Sequence, residues 1–162
     1  MNLDILPVAG LVHAHMGSLR FIKEEIIMDE QEYHLKVNEI IDKVQKALDI
    51  DDFKGINDIQ RLVIPLYLFG MINAFSMQNG ATHMQVQAAV VAMLVKRFGY
   101  DPKSAVEYFF FLVDATKKEN HPAVNNIICR GLDRFESIDD NEVVKNEVDR
   151  IVSILSEKYK YH

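Results

Sequence analysis

Three long apolar stretches between residues 57 and 116 constrain the fold of this chain more than any other feature. They run over 62–72, 88–95 and 105–113, and helix stop and start signals separate them. A helix that is apolar nearly all round must be surrounded by protein or lipid, and each stretch is shorter than the roughly 20 residues of a membrane span. The pattern therefore predicts three buried helices at the centre of an all-α fold.

Start and stop signals divide the chain into about seven helices, and no segment alternates as a strand does. The first is predicted over 7–28, and the third over 57–76 with a kink or a break at Pro65. Residues expected to open helices are Asp29, Thr82, Asp101 with Pro102, and His121 with Pro122. The prediction is a single-domain bundle over 1–162, in which amphipathic helices pack around the three apolar ones.

Length and charge limit the classes of protein to which the chain can belong. A chain of 162 residues can bury about 70 per cent of its unfolded surface without a metal or a disulfide. Its 18 basic and 24 acidic residues leave a formal charge of −6, which disfavours attraction to nucleic acid or anionic lipid. The sequence therefore predicts no nucleic-acid or membrane partner, and it favours a basic protein partner.

Two features favour a cytoplasmic location. Cys129 is the single cysteine, so it forms no internal disulfide, and its apolar helical segment predicts a buried small side chain. The N-terminal residues lack a basic region, and Gly10 and His13 interrupt their short apolar piece before any cleavage site. We therefore expect no export signal and a chain that stays in the cytoplasm.

The sequence shows no pattern typical of catalytic, cofactor or metal sites. Ser18 follows a glycine without the strand-turn-helix context of a nucleophile elbow, and the seven glycines form no phosphate-binding loop. Glu30 and His34 have the spacing of two metal ligands on a helix, but no second pair completes a dinuclear site. We predict no catalytic residue, no cofactor and no metal, and therefore a protein that is not an enzyme.

Polar residues inside apolar segments are the remaining candidates for function. Asn73 interrupts the apolar segment 70–75, and Arg130 follows an apolar run with Asn125 about one turn earlier. A buried amide or guanidinium must be hydrogen-bonded or paired, and Asp114 and Asp133 are candidate partners. Two interpretations stay open: an internal polar network that fixes helix register, or a polar surface patch that meets a partner.

Several segments carry a resemblance to a known family. The most distinctive is 121–131, His-Pro-Ala-Val-Asn-Asn-Ile-Ile-Cys-Arg-Gly, and 67–75, 98–100 and 111–116 accompany it. Over about 62–135 the chain resembles a family of all-helical bacterial immunity proteins. Such proteins are encoded beside polymorphic or contact-delivered toxins, including type VI-like systems. The resemblance implies a stoichiometric inhibitor that binds a cognate toxin and covers or distorts its active site.

Two other hypotheses stand beside this one. The chain could be a small ligand-binding regulator or enzyme, with an anion pocket formed by Arg130, Asn125 and His121. It could also be a homo-oligomeric module that uses an apolar face of its first or last helix. Binding to a toxin, to a small anion or to a second copy would discriminate among the three.

Overall fold

The described part of the chain is a set of six α-helices without a strand. A computed structural model describes residues 28–160. The helices are α1 (Glu30–Ala47), α2 (Asp58–Gln78), α3 (His83–Lys96), α4 (Pro102–Ala115), α5 (Pro122–Arg134) and α6 (Asn141–Tyr159), with short 3₁₀ turns at Phe53–Gly55 and Phe135–Ser137. The all-α prediction is confirmed. The predicted first helix, apart from Met28, lies outside the described residues, as do Ser18 and the N-terminal features behind the expected location.

Capping hydrogen bonds confirm three of the predicted helix starts, whereas His121 precedes α5 without a side-chain capping bond. The side chains of Asp29, Thr82 and Asp101 each accept a hydrogen bond from the backbone N–H three residues on. Pro102 and Pro122 stand in the first turns of α4 and α5, where a missing N–H breaks no helical bond. Short polar side chains and prolines therefore set the starts of these helices.

Pro65 does not divide the third predicted helix. The helix α2 runs unbroken from Asp58 to Gln78, and Asn57 and Gln60 form a reciprocal capping box at its start. The alternative of two shorter helices is therefore wrong. Proline removes one backbone hydrogen bond, but α2 is buried on all sides around it, and that packing stabilises the continuous helix.

One helix, rather than three, is buried all round. Every residue of α2 from Val63 to Ser76 is buried. By length and composition α2 could cross a membrane, but 78 per cent of its most apolar window is enclosed by this fold. Buried residues on α3 and α4 lie along one face each, so the prediction of three central apolar helices is not confirmed.

The helices α2 and α5 cross at a pair of glycines. A Cβ atom at Gly70 would collide with the Ile128 carbonyl oxygen, and one at Gly131 would collide with the Tyr67 carbonyl oxygen. Each glycine therefore faces the backbone of the opposite helix, which allows a much closer approach than larger side chains permit. We call this contact the glycine crossing. It fixes α5, and with it the segment 121–131, against the central helix.

Candidate functional site

Three of the predicted site residues meet where α4 ends and α5 begins. The exposed Asp114 carboxylate accepts a hydrogen bond from the Asn120 side chain at 2.8 Å, and its other oxygen lies 3.0 Å from His121 Nε2. The buried Asn125 amide donates to the carbonyl oxygens of Ala115, at 3.2 Å, and Thr116, at 2.8 Å. Carbonyl groups at the end of a helix have no hydrogen-bond donor within the helix. Asn125 supplies that donor and so connects the end of α4 to α5.

Arg130 lies on the surface beside a carboxylate that sequence reasoning missed. Its Nη1 atom is 3.9 Å from Glu147 Oε2, and Arg134 Nε donates to the same oxygen at 3.0 Å. The hydroxyl of buried Tyr67 donates to Glu147 Oε1 at 2.9 Å. Burial, and then this hydrogen bond, raise the pKa of Tyr67 far above its usual value. The four residues, named here the Glu147 cluster, join α2, α5 and α6 beside the glycine crossing.

The expected pairing of Asn73 and Arg130 with aspartates is wrong. Asn73 is fully buried on α2 and donates through Nδ2 to the Phe69 carbonyl oxygen, at 2.7 Å, within its own helix. Its Oδ1 atom has no hydrogen-bond partner among the described residues. Asp133 is exposed on α5, and Arg130 contacts Glu147 instead. The predicted residues therefore form separate local arrangements and no single network.

The predicted anion pocket at Arg130 does not coincide with any of three surface depressions in the described residues. These depressions are lined by other residues, from the α1–α3 side and from the turn between α5 and α6. The Arg130 side chain is about half exposed and shares its carboxylate with Arg134. His121 also contacts Asp114. Carboxylates of the chain itself thus contact both Arg130 and His121, at separate places.

Aromatic rings form a row along the inner edge of α4. The Arg61 guanidinium lies 5.1 Å above the Tyr100 ring, which stacks on Tyr108 at 5.5 Å. The row continues to Phe111 at 5.7 Å and then to His121 at 5.3 Å. Burial raises the pKa of Tyr108, whose hydroxyl has no hydrogen-bond partner among the described residues. The row fixes the orientation of α4 relative to α2 and α5.

Of the peripheral helices, α3 carries the least charge, whereas α4 exposes Lys103, Glu107 and Asp114. α3 has one charged residue, Lys96, among its 14 residues. α1 has seven among 18, namely Glu30, Glu32, Lys36, Glu39, Asp42, Lys43 and Lys46. α6 has seven among 19, namely Glu142, Lys145, Glu147, Asp149, Arg150, Glu157 and Lys158.

The α3–α4 pair exposes two large apolar side chains. Met84 on α3 is 78 per cent exposed, and Phe110 on α4 is 54 per cent exposed. Smaller apolar residues adjoin each of them at helical spacing. We call the set the hairpin face: Met84, Ala88, Val91, Val106, Phe110 and Val113.

Comparison with protein families identifies the class of protein. Residues 33–156 match a family of bacterial immunity proteins, which extends the resemblance seen over 62–135 to α1 and most of α6. The chain belongs to this family, Immunity protein 48. Immunity proteins are generally not enzymes. Comparisons with curated proteins and with solved structures gave no match.

Proposed function

We propose that this protein binds one cognate bacterial toxin in a 1:1 complex and neutralises it by covering or distorting the toxin's active site. Membership of the Immunity protein 48 family over 33–156 is the observation that carries the proposal. The fold suits such a role, because the glycine crossing and the Glu147 cluster make a preorganised body. A preorganised surface loses little conformational entropy on binding. In this proposal the protein acts by contact and performs no catalysis.

The proposed toxin is basic at the surface that meets this protein. The chain has a formal charge of −6, and opposite charge on the partner increases the association rate. A toxin that acts on nucleic acid has the required basic character, and in this proposal a polymorphic or type VI-like system delivers it.

The experiment is co-expression with the toxin encoded by the neighbouring reading frame. We expect growth to be restored by this protein and not by an unrelated helical protein, and we expect the purified pair to elute as a 1:1 complex by light scattering. A non-cognate toxin is the specificity control. If the toxin remains lethal and no complex forms, the proposal is wrong.

We propose that the encounter takes place in the cytoplasm. The half-buried Cys129 thiol, whose pKa burial raises, is compatible with a reducing compartment because it needs no disulfide partner. The test compares a toxin produced in the cytoplasm with the same toxin sent to the periplasm. Protection against the cytoplasmic form alone is expected, and protection confined to the periplasmic form would contradict the location.

A further inference from the structure

We propose that the hairpin face is the surface that binds the toxin, and that the toxin meets it with apolar side chains bordered by lysine or arginine. This inference rests on the proposed function, because it names the surface through which that function operates. It concerns Met84, Ala88 and Val91 of α3 together with Val106, Phe110 and Val113 of α4. The exposure of Met84, Ala88 and Phe110 and the acidic groups beside Phe110 support it, while Val91 and Val113 also pack against the core.

The two helices that carry the hairpin face adjoin each other. The His83 ring lies 6.1 Å from the Phe109 ring, which lies 5.8 Å from the Phe110 ring. The first turn of α3, which carries Met84, is therefore beside the middle of α4, which carries Phe110. Two neighbouring helices thus each expose a large apolar side chain, which is more typical of a binding site than isolated exposed residues are.

The composition of the hairpin face matches the centre of a protein interface. Interface centres are depleted of charge and enriched in aromatic residues and methionine, and a few such residues supply most of the binding energy. Leu35 and Ile154 are as exposed as Phe110, at 60 and 57 per cent, but they lie on the charged helices α1 and α6. These two residues therefore provide matched controls for exposure.

Charged residues at the edge of the hairpin face indicate the chemistry of the partner. Glu107 stands three residues before Phe110 and Asp114 four residues after it, and both are exposed. Lys103 and Lys96 lie at the other end of the pair, where α3 ends and α4 begins. The face is therefore acidic around Phe110, which favours a basic group of the toxin at that end.

The hairpin face is held rigidly from behind. Ala105, Phe109 and Leu112 on the opposite side of α4 are fully buried, and Asn125 binds the end of the helix. Phe110 and Met84 therefore project from helices whose positions the core determines. Groups fixed in this way lose little freedom when a partner binds.

The experiment measures the dissociation constant of the toxin complex by calorimetry for matched surface variants. Phe110→Asp and Met84→Asp are each expected to weaken binding by at least ~30-fold, as loss of a central anchor does. Leu35→Asp and Ile154→Asp should stay within about 3-fold of the natural protein. Circular dichroism and thermal unfolding confirm that each variant is folded.

A charge reversal tests the orientation of the partner. Glu107→Lys should reduce the association rate by about 3- to 10-fold at low salt, and the difference should shrink as salt screens the charges. Lys103→Glu, at the opposite end, is the matched control and should not slow association. A faster association of Glu107→Lys would overturn the assignment of a basic partner.

The outcomes separate this inference from the proposed function. If the natural protein binds the toxin and loses binding through Leu35→Asp or Ile154→Asp but not through Phe110→Asp or Met84→Asp, only the inference fails. If the natural protein neither binds nor rescues, both fail. A free protein that is a dimer, and that Phe110→Asp converts to a monomer, would show that a second copy covers the face and would also overturn the inference.

Discussion

The glycine crossing and the hairpin face are both built from apolar helices, but the described residues cover the first and leave Met84 and Phe110 of the second exposed. At the crossing, Gly70 and Gly131 bring two backbones together, and the residues around them are buried. On the hairpin face, Met84 and Phe110 project outward from helices that are buried only on their inner sides. The difference teaches that an apolar helix can serve the stability of the fold on one side and recognition on the other.

The two regions should therefore respond to mutation in opposite ways. Changes at the crossing should lower the free energy of unfolding and leave the affinity of the folded fraction unaltered. Changes at Met84 and Phe110, the exposed residues of the hairpin face, should alter affinity and leave stability nearly the same. The following substitutions test this division, beginning with the largest expected change in stability.

Gly131→Ala should destabilise the protein by about 3 kcal/mol or more, because its Cβ would collide with the Tyr67 backbone and force α2 and α5 apart. Gly70→Ala should have a similar effect against Ile128. The measurement is urea unfolding followed by circular dichroism. Gly55→Ala is the control, since its Cβ would meet nothing within 4 Å. Equal stability of the Gly131 and Gly55 variants would show that the crossing is not as close as described.

Asn125→Ala should cost about 1–3 kcal/mol, because it leaves the buried carbonyl oxygens of Ala115 and Thr116 without their side-chain donor. Urea unfolding measures the loss, and faster amide exchange at the end of α4 should accompany it. Asn126→Ala, at the exposed neighbouring position, should stay within about 0.5 kcal/mol of the natural protein. A loss at Asn126 and none at Asn125 would contradict the assignment.

Tyr33 gives the buried side of the molecule a pH dependence. Burial raises the pKa of Tyr33 from 10.0 to about 12, while its hydroxyl hydrogen-bonds Ser76 on α2 at 2.7 Å. Because the folded pKa is the higher one, the contribution of this group is fully present below pH 10 and is lost as the pH rises through about 12. The full loss, for a pKa that rises from 10.0 to about 12, is about 3 kcal/mol.

Thermal unfolding between pH 8 and pH 12 measures this effect. At pH 8, Tyr33→Phe should be less stable than the natural protein, because the variant lacks the hydroxyl that bonds Ser76. This difference in stability should narrow or reverse near pH 12. Tyr159→Phe, at an exposed position, is the control. Parallel curves for Tyr33→Phe and the natural protein would refute the raised pKa.

Phe110→Ser and Met84→Ser should change stability by less than about 0.5 kcal/mol, the smallest effect in the series, because both side chains are exposed. Phe109→Ser, one residue away on the buried side of α4, should cost about 3–5 kcal/mol. Thermal and urea unfolding compare the three variants. A large loss at Phe110 would mean that the hairpin face supports the fold itself.

The helices could be predicted from the sequence because their signals are local. Asp29, Thr82 and Asp101 cap helices through bonds that span three residues, and the prolines at 102 and 122 act within the first turn. Such local signals do not determine how many of the apolar helices are buried on all sides. α3 and α4 are nearly as apolar as α2, and only the packing of the whole chain determines which helix is surrounded.

The candidate site was predictable in part, for the same reason. Asn125 was correctly selected as a polar residue that must be satisfied, but its acceptors are backbone carbonyls, which sequence does not distinguish. Glu147 was missed because its partner Tyr67 lies 80 residues away. Its other partner, Arg134, lies 13 residues from Glu147 in the last turn of α5, where a basic residue is common and indicates no particular partner. The one available hint at the crossing was that Gly70 and Gly131 both interrupt helical segments.

Hydroxyl-radical footprinting of the free protein and of its toxin complex most directly tests the division between the two regions. Met84 and Phe110 should be oxidised readily in the free protein and protected at least ~10-fold in the complex, as burial at an interface centre requires. Ile154 and Tyr159, exposed on α6, should be oxidised equally in both samples. Protection of Ile154 and Tyr159 with unchanged oxidation of Met84 and Phe110 would contradict the binding role of the hairpin face.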